Sequence, residues 1–128
     1  FGEGLKTFRS LLVPGGLMAV SELSWIRPDP PEECRQFFAN EYPAMVDIDT
    51  NLTTIKNCGY ELVEHFILPE SAWWAPYYNP LGERLRLMWN KYAPDSERLA
   101  MIDSFFAEIE QYRKHSDYYG NVFFLMQK

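Results

Sequence analysis

The residues best placed for chemistry are Ser21-Glu22 and, three positions after Glu22, Trp25, all following the apolar run Leu17-Met18-Ala19-Val20. Such a run reads as a short buried strand over 17–23. Polar side chains just past the C-terminal end of an α/β strand lie where ligands usually sit. Glu22 is therefore a candidate to orient a substrate hydroxyl or to act as a general base; as a purely structural carboxylate it would cap the next segment instead. Trp25 either walls a cavity or packs beneath the loop. A second concentration is Trp73, Trp74, Tyr77 and Tyr78, with Tyr118 and Tyr119 before the last apolar run. Aromatic side chains are costly to leave in water, so in a loop they either line a pocket or anchor the segment to its neighbours.

Other chemistries find little support. Two His and two Cys are scattered without ligand spacing, which gives no metal site. His65 falls mid-strand and reads as structural; His115 falls in the last turn of a helix, where a positive charge suits the dipole. No serine nucleophile elbow occurs. Glu32-Glu33 and Arg113-Lys114 read as solvated faces. Gly2-x-Gly4 follows no strand, so it is not a phosphate-binding turn.

The elements that must position these residues follow from periodicity. Leu5, Phe8, Leu11 and Leu12 recur at helical spacing over 2–12. Pro14-Gly15-Gly16 then makes a tight turn into the strand. Asp29-Pro30-Pro31-Glu32-Glu33 reads as a helix start with a capping Asp, and Cys34, Phe37, Phe38 and Tyr42 mark its inner face. Asp49 or Thr50 caps the next helix; Leu52, Ile55 and Cys58 form its stripe, and Gly59 suits its left-handed end. A strand over 60–68 stops at Pro69. The segment 70–78 reads as a loop. Asn79 or Pro80 opens a helix through Leu81, Leu85, Met88, Trp89 and Tyr92. Pro94-Asp95-Ser96-Glu97 restarts a longer one, striped by Leu99, Ile102, Phe105, Phe106, Ile109 and Tyr112. A terminal strand spans 121–126.

With 128 residues, the chain is long enough for a real core. A hydrophobic fraction of 47% and an aromatic fraction of 16% argue against disorder. A net charge of −6 disfavours nucleic acid as a partner. No segment is long and apolar enough for a membrane span, and no signal peptide is visible. Cys34 and Cys58 sit on apolar helix faces and read as free thiols of a reducing compartment, so the expected location is cytoplasmic. The chain opens on Phe1 inside a helical pattern, which reads as a fragment, a processed product or an excised domain.

Leu12-Val13-Pro14-Gly15-Gly16-Leu17 and the following strand resemble the turn and fifth strand of class I S-adenosylmethionine-dependent methyltransferases. Ser21-Glu22-Leu23-Ser24-Trp25 is similar to a Ser-Glu-x-x-Trp that follows strand five in small bacterial and archaeal members. Cys58-Gly59-Tyr60 looks like the passage into strand six. Tyr118-Tyr119-Gly120 and the apolar residues after it look like the start of strand seven.

The resemblance implies an α/β fold comprising the C-terminal half of that domain across residues 1–128. Its strands would be ordered five, seven, six, the last of them antiparallel. Residues 70–119 would form a helical cap insertion. It implies methyl transfer from S-adenosylmethionine to a small-molecule acceptor in the parent enzyme. Glu22 is then the catalytic candidate. Trp25, Trp73, Trp74, Tyr77, Tyr78, Tyr118 and Tyr119 are substrate-side candidates. The family's cofactor turn follows strand one, which has no counterpart here, so no cofactor-binding residue is expected in this chain. Two readings follow. In one, the chain is the substrate-side part of a methyltransferase, inactive without an N-terminal half. In the other, it is a non-enzymatic module that pairs with itself through the sheet edge that strand four would otherwise cover.

Overall fold

The computed structural model describes residues 1–93 and 95–128. It divides into two compact units, Phe1–Leu68 with Asp117–Lys128, and Pro69–Ser116. No helix among the described residues is long and apolar enough to cross a membrane.

The first unit contains helix α1 (Gly2–Leu11), strand β1 (Leu17–Trp25), helices α2 (Glu32–Glu41) and α3 (Ile48–Asn57), and strands β2 (Glu61–Ile67) and β3 (Tyr119–Gln127). The three strands form one sheet in the order β1-β3-β2, with β3 antiparallel to both neighbours. β1 is in register with β3 from Leu17 opposite Gln127 to Trp25 opposite Tyr119. β2 pairs from Glu61 opposite Gln127 to Ile67 opposite Val122, with a bulge between Leu62 and Glu64.

The core follows from the period of β3. Val122, Phe124 and Met126 point to one face and are fully buried with Leu5, Ile55 and Tyr60. Each such side chain contributes about 1.5–3 kcal/mol by leaving water. Tyr60 donates its hydroxyl to the Leu5 carbonyl at 3.0 Å, so this deep phenol leaves no orphan polar atom. Gly15, at φ +72°, supplies the left-handed residue of the turn before β1. Gly59, at φ +85°, ends α3: its N–H reaches the Lys56 carbonyl and that of Tyr60 reaches Ile55, a Schellman closure.

Several details differ from the sequence expectation. β1 is an edge strand, not a buried one: Leu17 is 70% exposed and inward and outward residues alternate. It runs on to Trp25, so Ser21 and Glu22 lie within the strand, because pairing with β3 continues to Tyr119. Asp29 does not cap α2; Pro31 holds that position and Asp29 pairs with Arg27 at 3.5 Å. α3 begins two residues early, because Asp47 accepts from the Thr50 N–H at 2.7 Å. That bond, chiefly, holds the Asp47 carboxyl below its usual range.

The second unit contains a short turn α4 (Ser71–Trp73), a π-helix over Trp74–Tyr78, α5 (Asn79–Tyr92) and α6 (Ser96–His115). The segment 70–78 is thus helical rather than a loop. Pro76 cannot donate to an α-helical ladder, and the backbone widens into a π turn around it. Asp95 caps α6 through the Arg98 N–H at 3.1 Å; Pro94, read as the restart of this helix, lies outside the described residues. Gly82, Leu85, Ile102, Ile109 and Tyr112 are buried, whereas Met88, Trp89 and Phe105 of the expected stripes are exposed.

Candidate functional site

In the first unit the site is assembled around the C-terminal half of β1. Glu22 faces the same side as Val20 and Ser24 and is half-buried. Its Oε1 accepts a short hydrogen bond from the hydroxyl of Tyr42, the residue that ends α2. That bond, then burial and the carboxylate's charge, push the Tyr42 phenol up to about 12. Tyr42 is thus a neutral donor across the physiological range. Among the described residues it is the one hydrogen-bond partner of the Glu22 carboxylate.

Behind this pair lies a buried polar brace. Asn51 Nδ2 donates to Ser24 Oγ at 3.0 Å, and Ser24 Oγ donates to the Glu22 carbonyl at 3.2 Å. Asn51 and Ser24 are both fully buried, and a satisfied buried network of this kind fixes geometry. The brace locks α3 to the backbone that carries Glu22.

Trp25 ends β1. Its N–H donates to the Val46 carbonyl at 3.0 Å, and its ring meets Phe38 edge-on at 5.5 Å. Phe38 also takes Tyr119 at 4.5 Å, so Tyr119 is core. Tyr118 lies beside Arg27, whose guanidinium sits 4.9 Å from its ring centre. A cavity of about 180 Å³ opens here, walled by Trp25, Phe38, Tyr42 and Met45 and also lined by Arg35. A larger groove of about 410 Å³ runs between α3 and β2 along Leu52, Ile55, Tyr60 and Leu62. That groove is bigger and is also bordered by Lys56 and Glu61, but it holds none of the sequence-predicted site residues, whereas Trp25 lines the smaller cavity.

The other four candidates gather in the second unit. Trp73 stacks on Tyr112 of α6 at 4.7 Å, and Tyr78 packs on Tyr112 at 5.3 Å. Trp74 and Tyr77 lie against Tyr78 at 5.5 and 4.9 Å. Tyr78 donates to Glu108 and Trp74 Nε1 to Glu70. Burial, reinforced by Glu70, pushes Tyr112 up to about 12; burial also raises Tyr77. These rings anchor their segment to α6, and Trp74 and Tyr78 also line a cavity of about 240 Å³ with Arg86, Phe106 and Arg113. Trp73 Nε1 and Gln111 Nε2 are buried donors with no acceptor among the described residues.

The structure therefore brings Glu22, Trp25, Tyr118 and Tyr119 to one end of the sheet, and Trp73, Trp74, Tyr77 and Tyr78 around Tyr112. Sequence reasoning missed Tyr42 and Asn51 as site residues. Tyr42 ends the apolar face of α2 and carries a hydroxyl there, which was the available signal. Glycine turns in this chain join helix to strand, and no strand end among the described residues leads through glycines into a helix. The residues present do not fit a nucleotide cofactor held in that manner.

No protein-family model matches the chain, and no curated protein matches it. Solved structures do. A SAM-dependent methyltransferase from Geobacter sulfurreducens, in complex with S-adenosyl-L-homocysteine, superposes with a TM-score of 0.75 at 21% identity, over 98% of this chain and 51% of that one. One from Thiobacillus denitrificans, also with S-adenosyl-L-homocysteine, gives 0.76 at 19%, over 98% and 51%.

This is part of a SAM-dependent methyltransferase fold.

The chain spans about half the length of those two proteins. A phosphoethanolamine N-methyltransferase 2 from Haemonchus contortus, bound to phosphomonomethylethanolamine and S-adenosylhomocysteine, gives 0.70 at 12% identity, over 99% of this chain and 30% of that one. At these identities the likeness establishes the methyltransferase fold, and the chemistry must be argued from the site.

Proposed function

We propose that this chain is the substrate-side, C-terminal portion of a SAM-dependent small-molecule methyltransferase. The observation that carries this reading is the superposition of nearly the whole chain on about half of two methyltransferases solved with S-adenosylhomocysteine. On this reading β1, β2 and β3 are the family's strands five, six and seven, and the insertion expected over 70–119 corresponds to the helical unit Pro69–Ser116, since Tyr119 already belongs to β3.

When bound, the cofactor supplies an activated methyl group. This chain's contribution is to position the acceptor, which is where such catalysis mainly lies. Glu22, oriented by Tyr42 and the Ser24–Asn51 brace, holds a polar hydrogen of the acceptor. Trp25 and Tyr118 wall that side, with Tyr119 behind them. Trp73, Trp74, Tyr77 and Tyr78 shape the insertion. The cofactor site belongs to the complementary half, and the chain alone is inactive.

Calorimetric titration of S-adenosylhomocysteine tests this. Binding by a form extended upstream, and none by the 128 residues alone, is the expected result. Tight binding by the isolated chain would overturn the assignment.

The second reading, a self-associating module, rests on the open side of β1. Opposite β3 that strand carries only the Trp25–Asp47 bridge among the described residues, and Leu11, Val13 and Leu17 beside it are more than two-thirds exposed. A concentration-independent monomer in sedimentation would remove it.

A further inference from the structure

We propose that the cavity between α5 and α6 binds a free amino acid with an aromatic side chain, taking its carboxylate on Arg86 and its ammonium on Glu83. The site lies wholly within Pro69–Ser116 and does not depend on the methyltransferase reading. Its role is recognition: an ammonium group has no lone pair with which to receive a methyl group.

Two charges in this cavity stand open. A carboxylate three residues before a basic side chain is its neighbour on the helix surface. Among the described residues four such pairs close: Glu3–Lys6, Glu32–Arg35, Asp95–Arg98 and Glu110–Arg113, at 2.7, 3.6, 3.1 and 3.4 Å. Glu83 and Arg86 have the same order and spacing on α5, yet among the described residues neither makes an ion pair. Both line the cavity. Its other two charges, Glu110 and Arg113, neutralise each other, and the Arg113 guanidinium also lies 5.1 Å from the centre of the Trp74 ring. What remains is one positive and one negative group side by side on one helix face. A ligand with both signs on adjoining atoms answers both; a ligand with one sign leaves the other unanswered.

The remaining walls suit an aromatic side chain. Trp74, Tyr78 and Phe106 line the cavity, with Ile109 among them. Its volume, about 240 Å³, is below the roughly 300–1,000 Å³ of pockets for drug-sized ligands, which points to a single small molecule.

Gly82 is an independent sign that this space is kept open. It is buried in the interior of α5, where glycine is a much poorer helix former than alanine. Its φ is not left-handed, and a Cβ there would meet only Ile109 Cδ1, at an ordinary 3.9 Å. The fold therefore does not require glycine at this position. Gly82 and Ile109 both line the cavity, so an added methyl group would take up part of it.

Calorimetry on the full chain tests the proposal with L-phenylalanine, N-acetylphenylalanine, which lacks the ammonium, and phenylalanine amide, which lacks the carboxylate. The free amino acid should bind about fivefold more tightly than either, the upper range for a solvent-facing ion contact. Glu83→Gln should remove its advantage over N-acetylphenylalanine, and Arg86→Gln its advantage over the amide. Gly82→Ala should melt no lower than wild type and yet bind phenylalanine several-fold more weakly, a split that loss of folding cannot produce. A folded wild type that binds no phenylalanine, or that binds one of the blocked forms equally well, as a site for a peptide end would, overturns the proposal. So does undiminished binding by Gly82→Ala. None of these readings uses the cofactor, so they leave the test with S-adenosylhomocysteine to stand or fall separately.

Discussion

Two regions of this chain spend their aromatic residues in opposite ways. In Pro69–Ser116 the rings of Trp73, Trp74, Tyr77 and Tyr78 pack on one another and on Tyr112, and their polar atoms turn to Glu70 and Glu108. At the end of the sheet, Trp25, Phe38 and Tyr42 leave a cavity, with a carboxylate tethered beside it. The same residue types thus pack chiefly on one another in one place, where Trp74 and Tyr78 also border a cavity of about 240 Å³, and stand beside a tethered carboxylate in the other. Counting aromatics, however informative about burial, does not distinguish them. Their partners in space do.

The largest test of that contrast is Tyr112→Ala. Tyr112 is 2% exposed and underlies the whole second cluster. Its loss should cost about 3–5 kcal/mol, as for other buried aromatics cut to alanine. The signal should be collapse of the near-ultraviolet dichroism of the tryptophan cluster. Trp25→Ala, at a partly exposed wall, should cost no more than about 2 kcal/mol in the same denaturant melt. Equal costs would mean that the cavity wall is core after all.

A finer test uses two phenols displaced by different causes. Tyr42 and Tyr112 both stand at about 12, the first chiefly through its bond to Glu22 and the second chiefly through burial. In an ultraviolet tyrosine titration, Glu22→Ala should return Tyr42 toward 10 and leave Tyr112 in place. Linkage fixes the sign. The folded values lie above the unfolded one, so the stability that both groups contribute is fully present below pH 10 and is lost as the pH rises toward 12. A melt series across that window should fall, and fall less in Glu22→Ala.

Part of this was legible in the sequence. The helical stripe through Ile102, Ile109 and Tyr112 is a buried face, Gly59 ends its helix in the left-handed region, and α1 and the start of β1 stand where the pattern places them, although β1 runs two residues further and lies at the sheet edge. These are local signals, written within a turn or two of chain. Tyr42 reaches Glu22 from 20 positions away and Asn51 reaches Ser24 from 27. No periodicity encodes such a meeting, since it depends on where α2 and α3 settle on the sheet. The helical form of 70–78 was hidden because Pro76 signals a break, whereas the backbone absorbs it in a wider turn. The capping Asp of α3 was misplaced because Asp47, Asp49 and Thr50 all qualify by type, and only the geometry at the Thr50 N–H chooses among them.

The smallest effects come from the caps. Asp47→Ala and Asp95→Ala should each cost about 1 kcal/mol by thermal melt, the first in the unit that holds the sheet and the second in the helical one. The Asp47 carboxyl lies below its usual value. Its contribution is therefore complete above the ordinary carboxylate range and disappears as the pH falls through the lowered one. Asp47→Ala should melt with less acid sensitivity than wild type.

The strand order has a consequence for how the protein is made. β3 lies between β1 and β2 yet is the last of the three to be synthesised. Gln127 closes onto the Gly15 carbonyl across 112 positions. Within this chain β1 and β2 do not pair with each other, and each waits for the final strand to join them into one sheet. Closing so long a loop makes the join slow relative to local helix formation. During that interval the nascent chain is a client for holdase chaperones, and a stop codon before Tyr119 would remove the strand that joins β1 to β2.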